Sequence, residues 1–315
     1  MVASWDWTLD KFRLALAESL REEGYEITLV CADGTYVERF GNRGFRWIEW
    51  KSKRKRLNLL AELRAFLELA SIYAQEDPDL IHHDTIKPNL YGPLAVRLNK
   101  ALGRVESPLP LINTFMGLGY VFSEEILPYV LRTLIAPFLA FGLNQPNVHV
   151  VFSNRSDEER LRRSNILHHD RTRVLMSEFV DTDLFRPYQP EQVKPEVVDD
   201  RAEAPTVLMA ARLLWAKGVG ELAEASQILE QRGVNANFWL AEEPDTDSAG
   251  FVPVEQLRKW DKQGVLTWLG YQTNMPQLLS QADIAVLPTK YNEGMPRFLV
   301  ESLSTGQKRV GVRSA

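Results

Sequence analysis

Apolar residues in this chain recur with two different periods, and the two alternate from one end to the other. Leu9, Phe12, Leu16 and Leu20 fall at helical spacing up to Gly24, a natural helix stop, so a helix is expected over 9–23. Ile27 to Val30 is then a short apolar run closed by the turn pair Asp33-Gly34. The same reading predicts strands over 45–50, 80–83, 111–115 and 147–152, and helices over 57–75, 90–102 and 126–143. The second half repeats the rhythm, with strands over 206–210, 237–240, 265–269 and 284–287, a helix over 218–232 and shorter helices between. Strands that alternate with helices imply parallel sheets covered by helices on both faces.

A chain of 315 residues suits two such domains. Residues 188–205, rich in proline and charge and poor in apolar side chains, read as the connector. The expected division is a first domain over 1–190, a linker over 191–204 and a second domain over 205–315. Each is expected to be doubly wound, with a ligand cleft between them at the carboxyl ends of the strands. With 45% apolar and 25% charged residues the chain has the balance of a core-forming protein and excludes a disordered one. A net charge of -5 excludes a chain-wide field for nucleic acid, so no nucleic-acid partner is expected. The single cysteine, Cys31, excludes a disulfide framework and a cysteine-rich zinc site and fits a reducing compartment. His168-His169 lacks acidic or cysteine partners at ligand spacing, so no metal site is expected there. Met1 to Asp10 has no basic cluster followed by an apolar run, the mark of a secretory signal. The apolar stretch 126–143 is interrupted by Pro128, Arg132 and Pro137 and reads as an amphipathic or buried helix, since a spanning one needs about 20 largely uninterrupted apolar residues.

Two segments carry chemistry. Asp283 to Glu301 is a strand, a loop and a helix start, in which Gly294 permits close backbone approach to a ligand and Pro296 suits a first helical turn. Glu293 precedes the helix and Glu301 lies on it. On spacing alone Glu301 is a solvated helix-face residue, because Leu299 and Leu303 mark the opposite, buried side. In Leu208 to Gly218 a strand end is followed by Arg212 and Lys217 before a helix, where two cations and the helix's positive end can hold a diphosphate; ordinary surface cations are the bland alternative.

In this order and separation the two segments resemble those of the retaining glycosyltransferases of family 4, most of all the branch that builds capsular polysaccharide. Further stretches carry the likeness: His82-His83-Asp-Thr-Ile-Lys87-Pro88, Gly117-Leu-Gly-Tyr-Val-Phe122 and Val180-Asp-Thr-Asp-Leu-Phe-Arg-Pro187. The resemblance runs from about Trp5 to Gly306. It implies the GT-B fold, two Rossmann-like domains facing across a cleft, and transfer of a sugar from a nucleotide donor with retention at the anomeric carbon. It assigns Arg212 and Lys217 to the donor diphosphate, Glu293 with the backbone of Gly294 and Met295 to the sugar hydroxyls, and Glu301 to the ribose. The loop from Leu269 to Tyr271 would pass beside the nucleobase. Negative charge develops on the departing diphosphate, so fixed cations and a helix N-terminus lower the barrier there. The diphosphate itself takes the acceptor proton in such enzymes, and no metal or other cofactor is implied. The implied partners are a nucleotide sugar and a glycan or lipid-linked acceptor. The implied setting is cytoplasmic and membrane-peripheral, in surface polysaccharide synthesis.

The sequence also departs from that family. Many relatives read Thr-x-His-Gly-Leu-Gly, with the histidine on the donor sugar; here Met116 stands in that place, between Thr114-Phe115 and Gly117. His82 and His83, at a strand end, are the substitutes, or else core residues. The family's first strand and glycine loop should precede Trp5, with Val2-Ala-Ser4 as the remnant, and relatives continue past Ala315. The expectation is a chain shortened at both ends, with an incomplete second domain. Two rivals to a transferase follow: a catalytically inactive nucleotide-sugar-binding protein, and an epimerase on the same fold. Finally, Lys51, Lys53, Arg54, Lys55 and Arg56 place five cations in six residues of the first domain. They form a solvated loop or a dock for anionic lipid headgroups.

Overall fold

The computed structural model describes residues 1–52, 58–105, 109–118, 126–175, 180–187, 204–244, 246, 250–290, 296–306 and 309–312, with backbone alone for 126–131 and 309–312. The chain divides into two compact units, Met1–Ser177 and Glu178–Ala315.

The first unit runs β1 Val2–Trp5, α1 Asp6–Phe12, α2 Leu14–Glu22, β2 Thr28–Ala32, α3 Val37–Asn42, β3 Arg46–Glu49, α4 Leu59–Glu76, β4 Ile81–Asp84, α5 Ile86–Ala101, β5 Leu111–Phe115, α6 Ile126–Leu143, β6 Val148–Phe152, α7 Arg155–Arg163 and β7 Thr172–Val174. All its strands are parallel, in the order β3-β2-β1-β4-β5-β6-β7. Alternation along β1 and β2 divides the core between the two faces: Val2 and Val30 join one apolar cluster, and Ala3, Leu29 and Cys31 the other. Trp50, Leu69, Leu111, Leu143 and Phe152 fill the first of these, and Leu9, Leu14 and Phe40 the second. Cys31 is a free, fully buried thiol, pushed up to about 12 by burial. Val2–Trp5 is thus a central strand, paired with both β2 and β4.

One expected helix is broken. The stretch 9–23 is two helices parted at Arg13, whose backbone leaves the helical region (φ -127°, ψ -17°). The reason is electrostatic. Asp84 ends β4 with no exposed surface, and a buried carboxylate requires a counter-charge. Arg13 supplies it: Nε donates to Oδ1 and Oδ2 at 2.8 and 2.9 Å, and Nη2 lies 2.5 Å from Oδ1. α5 likewise begins earlier than expected, at Ile86, because Pro88 lies in its first turn, where a missing N–H breaks no helical bond.

The second unit runs β8 Thr206–Ala210, a 3₁₀ turn Trp215–Lys217, α8 Val219–Gln231, β9 Asn237–Ala241, α9 Val254–Lys262, β10 Thr267–Gly270, α10 Met275–Ser280, β11 Ile284–Leu287, α11 Arg297–Ser304 and β12 Arg309–Val312. Its sheet is parallel, in the order β10-β9-β8-β11-β12, around a core that includes Leu208, Leu240, Leu279 and Ala285. The division lies earlier than the expected boundary at 190. Phe185 is buried in this second core, its carbonyl accepts from the Ser304 hydroxyl, and Pro187 packs at Gly306. Apolar burial thus ties 180–187 to the second unit; the expected linker 191–204 lies outside the described residues except for Ala204.

Candidate functional site

In the second sheet the strand order reverses between β8 and β11, which pair directly: from β8 the chain moves outward to β9 and β10, then returns on the other side. Loops leaving the carboxyl ends of two such strands form the crevice where open α/β sheets bind ligands. The loop after β8 carries both predicted cations. Its centre is pinned by Leu213 and Leu214, both buried, with Leu213 O accepting from Val252 N at 2.8 Å and Trp215 N donating to Gly250 O at 2.9 Å. Arg212 is left exposed and Lys217 half-buried on the 3₁₀ turn.

Gly218 then adopts φ +90°, and a side chain there would overlap the carbonyl oxygen of Pro288, just past β11. Here the two loops touch. Lys290 N donates to Ala216 O at 2.8 Å, Thr289 Oγ1 to the same oxygen at 3.4 Å, and the Lys290 ammonium pairs with Glu221 in the first turn of α8 at 2.5 Å. The backbone bearing Lys217 is therefore fixed to the backbone leaving β11. Glu293, Gly294 and Met295, which follow in the sequence, lie outside the described residues.

Glu301 corrects the spacing argument. It is 8% exposed on α11, whereas Leu303, expected on the buried side, is 60% exposed. Phe298, Leu299 and Ser302 share its buried face. Glu301 Oε1 accepts from Arg297 Nε at 2.7 Å. At the neighbouring strand ends, Leu269 packs against the core from β10 and Gly270 turns the chain at φ +66°. Tyr271 is exposed, and Trp268 Nε1 donates to Glu242 O at 2.9 Å. Burial raises the Glu242 carboxyl above the ordinary range.

In the first unit the two candidate histidines part company. His83 is fully buried, with Nε2 at 2.8 Å from the Tyr73 hydroxyl and Nδ1 at 2.9 Å from Asn113 Oδ1; a side chain at Gly92 would overlap its ring. It is a core residue, and the reading of His83 as a sugar contact falls. Burial takes its pKa down to about 3. His82 faces the other way: Nε2 meets Thr114 Oγ1 at 2.7 Å, and burial lowers its pKa to about 4. Thr114 precedes Met116, half-buried beyond β5, and Gly117, whose φ of +103° favours glycine. The next residue, Leu118, is buried and its N–H reaches Asp157 on α7. The stretch 119–122 lies outside the described residues. Among the described residues no group of three or more His, Cys, Asp or Glu side chains could hold a metal ion. His169 is engaged by Leu143 O and Arg171 N.

Comparison with known proteins decides the family. A model described as glycosyl transferase 4-like matches residues 2–136, and one for glycosyl transferases group 1 matches residues 191–313. The chain belongs to the GT-B glycosyltransferases of the family 4 type. A relative from Campylobacter jejuni, N,N'-diacetylbacillosaminyl-diphospho-undecaprenol alpha-1,3-N-acetylgalactosaminyltransferase, is 26% identical over 306 residues, covering 94% of this chain and 75% of its own. The Escherichia coli UDP-Gal:alpha-D-GlcNAc-diphosphoundecaprenol alpha-1,3-galactosyltransferase is 20% identical over 92% of this chain and 72% of its own. Among solved structures, a glycosyltransferase from Rickettsia africae superposes with a TM-score of 0.69 at 17% identity, over 100% of this chain and 79% of that one. Anabaena HepE in complex with UDP superposes with a TM-score of 0.71 at 15% identity, over 100% and 80%.

The glycosyltransferase also carries apolar side chains in water. On α4, immediately after the basic run, Leu59, Leu60, Leu63 and Leu67 are exposed, and on α6 Leu134, Phe138 and Phe141 are. α5 packs against both helices, and its Arg97 guanidinium stacks 4.3 Å over the Phe141 ring. Lys51 is exposed, and its backbone N–H donates to Glu68 Oε2 at 3.1 Å; Lys53 to Arg56 lie outside the described residues. Among those residues no helix is long and apolar enough to cross a membrane. Sequence reasoning missed Lys290 and Arg297, although Arg297 stands one helical turn before Glu301, a spacing at which side chains meet.

Proposed function

We propose that this glycosyltransferase moves a sugar, with retention, from a uridine diphosphate sugar to a sugar carried on a polyprenyl diphosphate, in the synthesis of a surface polysaccharide. The observation that carries the reading is the junction of the two loops at the reversal of strand order, Gly218 against Pro288 and Lys290 N to Ala216 O. It fixes the loop bearing Arg212 and Lys217 beside the backbone that leaves β11, which supports the assignment of both cations to a diphosphate. In this reading Arg212 and Lys217 stabilise the departing diphosphate, together with the N-terminus of α8. Glu293 with the backbone of Gly294 and Met295 holds the sugar hydroxyls, Glu301 the ribose, and the turn from Leu269 the base. The leaving diphosphate accepts the acceptor's proton, and the two cations supply the positive charge a metal otherwise would. UDP as donor nucleotide is supported by the names of the E. coli relative and the Anabaena complex, and the lipid diphosphate by both curated relatives.

The setting we propose is the cytoplasmic face of a membrane, bound peripherally. The cations Lys51, Lys53, Arg54, Lys55 and Arg56, followed directly by the exposed leucines of α4, combine the charge and the apolar area that anionic bilayers attract. The phosphate assignment is tested by Arg212→Ala combined with Lys217→Ala. Each charge-assisted contact contributes about 1.5–3 kcal/mol, so UDP affinity measured by calorimetry should fall about a hundredfold or more, with little change in melting temperature. Unchanged affinity, or wild-type protein that binds no UDP, overturns the proposal.

A further inference from the structure

Arg297 and Glu301 make an ion pair that helix electrostatics does not favour. Arg297 is the first residue of α11, where the positive end of the helix disfavours a cation. Its partner lies four residues later, an order in which cation precedes anion and which stabilises a helix less than the reverse. Glu301 nevertheless sits on the buried side of the helix, its side chain 10% exposed, while that of Arg297 is 31% exposed. A carboxylate so placed is tolerated only with a partner, and Nε of Arg297 donates to Oε1 at 2.7 Å. A solvated glutamate would need no such arrangement, and an apolar residue would fill the same face at lower cost.

From this we infer that Arg297 is a positioning residue for nucleotide recognition. Its guanidinium holds the Glu301 carboxylate in one orientation, so that the carboxylate accepts hydrogen bonds from a vicinal diol, the ribose of the donor. The inference rests on the ribose reading of Glu301 and adds the group that acts through it. Arg297 then matters for ligands that carry the diol and is indifferent to those that lack it, a difference that a purely structural ion pair would not produce.

The experiment measures UDP and 2′,3′-dideoxy-UDP binding by calorimetry to the wild type, Arg297→Met, Arg297→Lys and Glu301→Gln, each checked by circular dichroism. The expected result is a loss of about tenfold or more for UDP in Arg297→Met, a change of less than twofold for the dideoxy ligand, and recovery of most of the UDP affinity in Arg297→Lys. Should Arg297→Met fail to fold, Arg297→Gln serves in its place with the same expectation. Equal losses for both ligands in Arg297→Met, or none for either, overturn the inference while a Glu301→Gln effect confined to UDP leaves the ribose reading standing. A Glu301→Gln variant that treats the two ligands alike removes that reading, and the role of Arg297 with it.

Discussion

Gly218→Ala is the substitution that probes the site most sharply. At φ +90° any L side chain is strained, by about 1–2 kcal/mol. The added Cβ would also overlap a backbone oxygen, that of Pro288, which cannot swing aside as a side chain tip can. Relief requires the two loops to part, which breaks the 2.8 Å bond from Lys290 N to Ala216 O at a further cost of about 1 kcal/mol. The sum, about 2–3 kcal/mol, corresponds to a fall of roughly 5–15 °C in the melting temperature of a unit this size. Gly233→Ala is the control: it shares the backbone conformation, at φ +69°, and the same unit, but nothing lies within 4 Å of the added Cβ. It should lose only about 1 kcal/mol and keep its nucleotide affinity. Thermal melts with and without UDP, and calorimetric titration, separate the two. Gly218→Ala should bind UDP at least tenfold more weakly, because Lys217 moves with its neighbour. If both variants melt alike and bind UDP within twofold of the wild type, the junction of the two loops does not organise the site.

Two further outcomes are expected. His82 and His83 have pKa values lowered by burial to about 4 and 3, so the folded first unit stays neutral at both while the unfolded chain takes up protons below about pH 6.5. Stability is therefore fully present above that pH and declines as pH falls towards the folded values, by up to about 1.4 kcal/mol per pH unit for each histidine; urea midpoints at pH 7.5, 6 and 5 should show it. His83→Gln should flatten that dependence, and an unaltered slope would contradict the burial argument. Vesicles containing phosphatidylglycerol should sediment the protein at low salt and release it at about 1 M, where screening extends only about 3 Å. Replacing Lys51, Lys53, Arg54, Lys55 and Arg56 by Gln should abolish the binding, and equal sedimentation with neutral vesicles would remove the lipid role of the run.

The strands over 206–210 and 284–287 were legible because central parallel strands are apolar on both faces and read as short, nearly unbroken apolar runs. Gly218 and the two cations were legible as a loop, since glycine and charge have few other uses between a strand and a helix. The face of α11 was not. An eight-residue helix with Phe298, Leu299, Val300 and Leu303 offers more than one apolar side, and the sheet that covers it selects the one containing Glu301. Arg13 shows the same limit: its helical pattern is sound locally, but a carboxylate 71 positions away in the sequence, on Asp84, claims its side chain. Phe185 marks where the first unit ends only because its ring enters the second core, which composition around 188–205 cannot reveal. The two histidines were ambiguous for a related reason. Neighbours on a strand point to opposite faces, and only the partners, Tyr73 and Asn113 for one and Thr114 for the other, distinguish them.

The solitary thiol has a practical corollary. With Cys31 sealed in the interior and its ionisation displaced to about 12, only about one molecule in ten thousand presents a thiolate at pH 8. Maleimide reagents should thus find the native polypeptide almost silent. A cysteine introduced on an exposed helix of each half would carry fluorophores without background, and the distance between the halves could be followed as nucleotide is added.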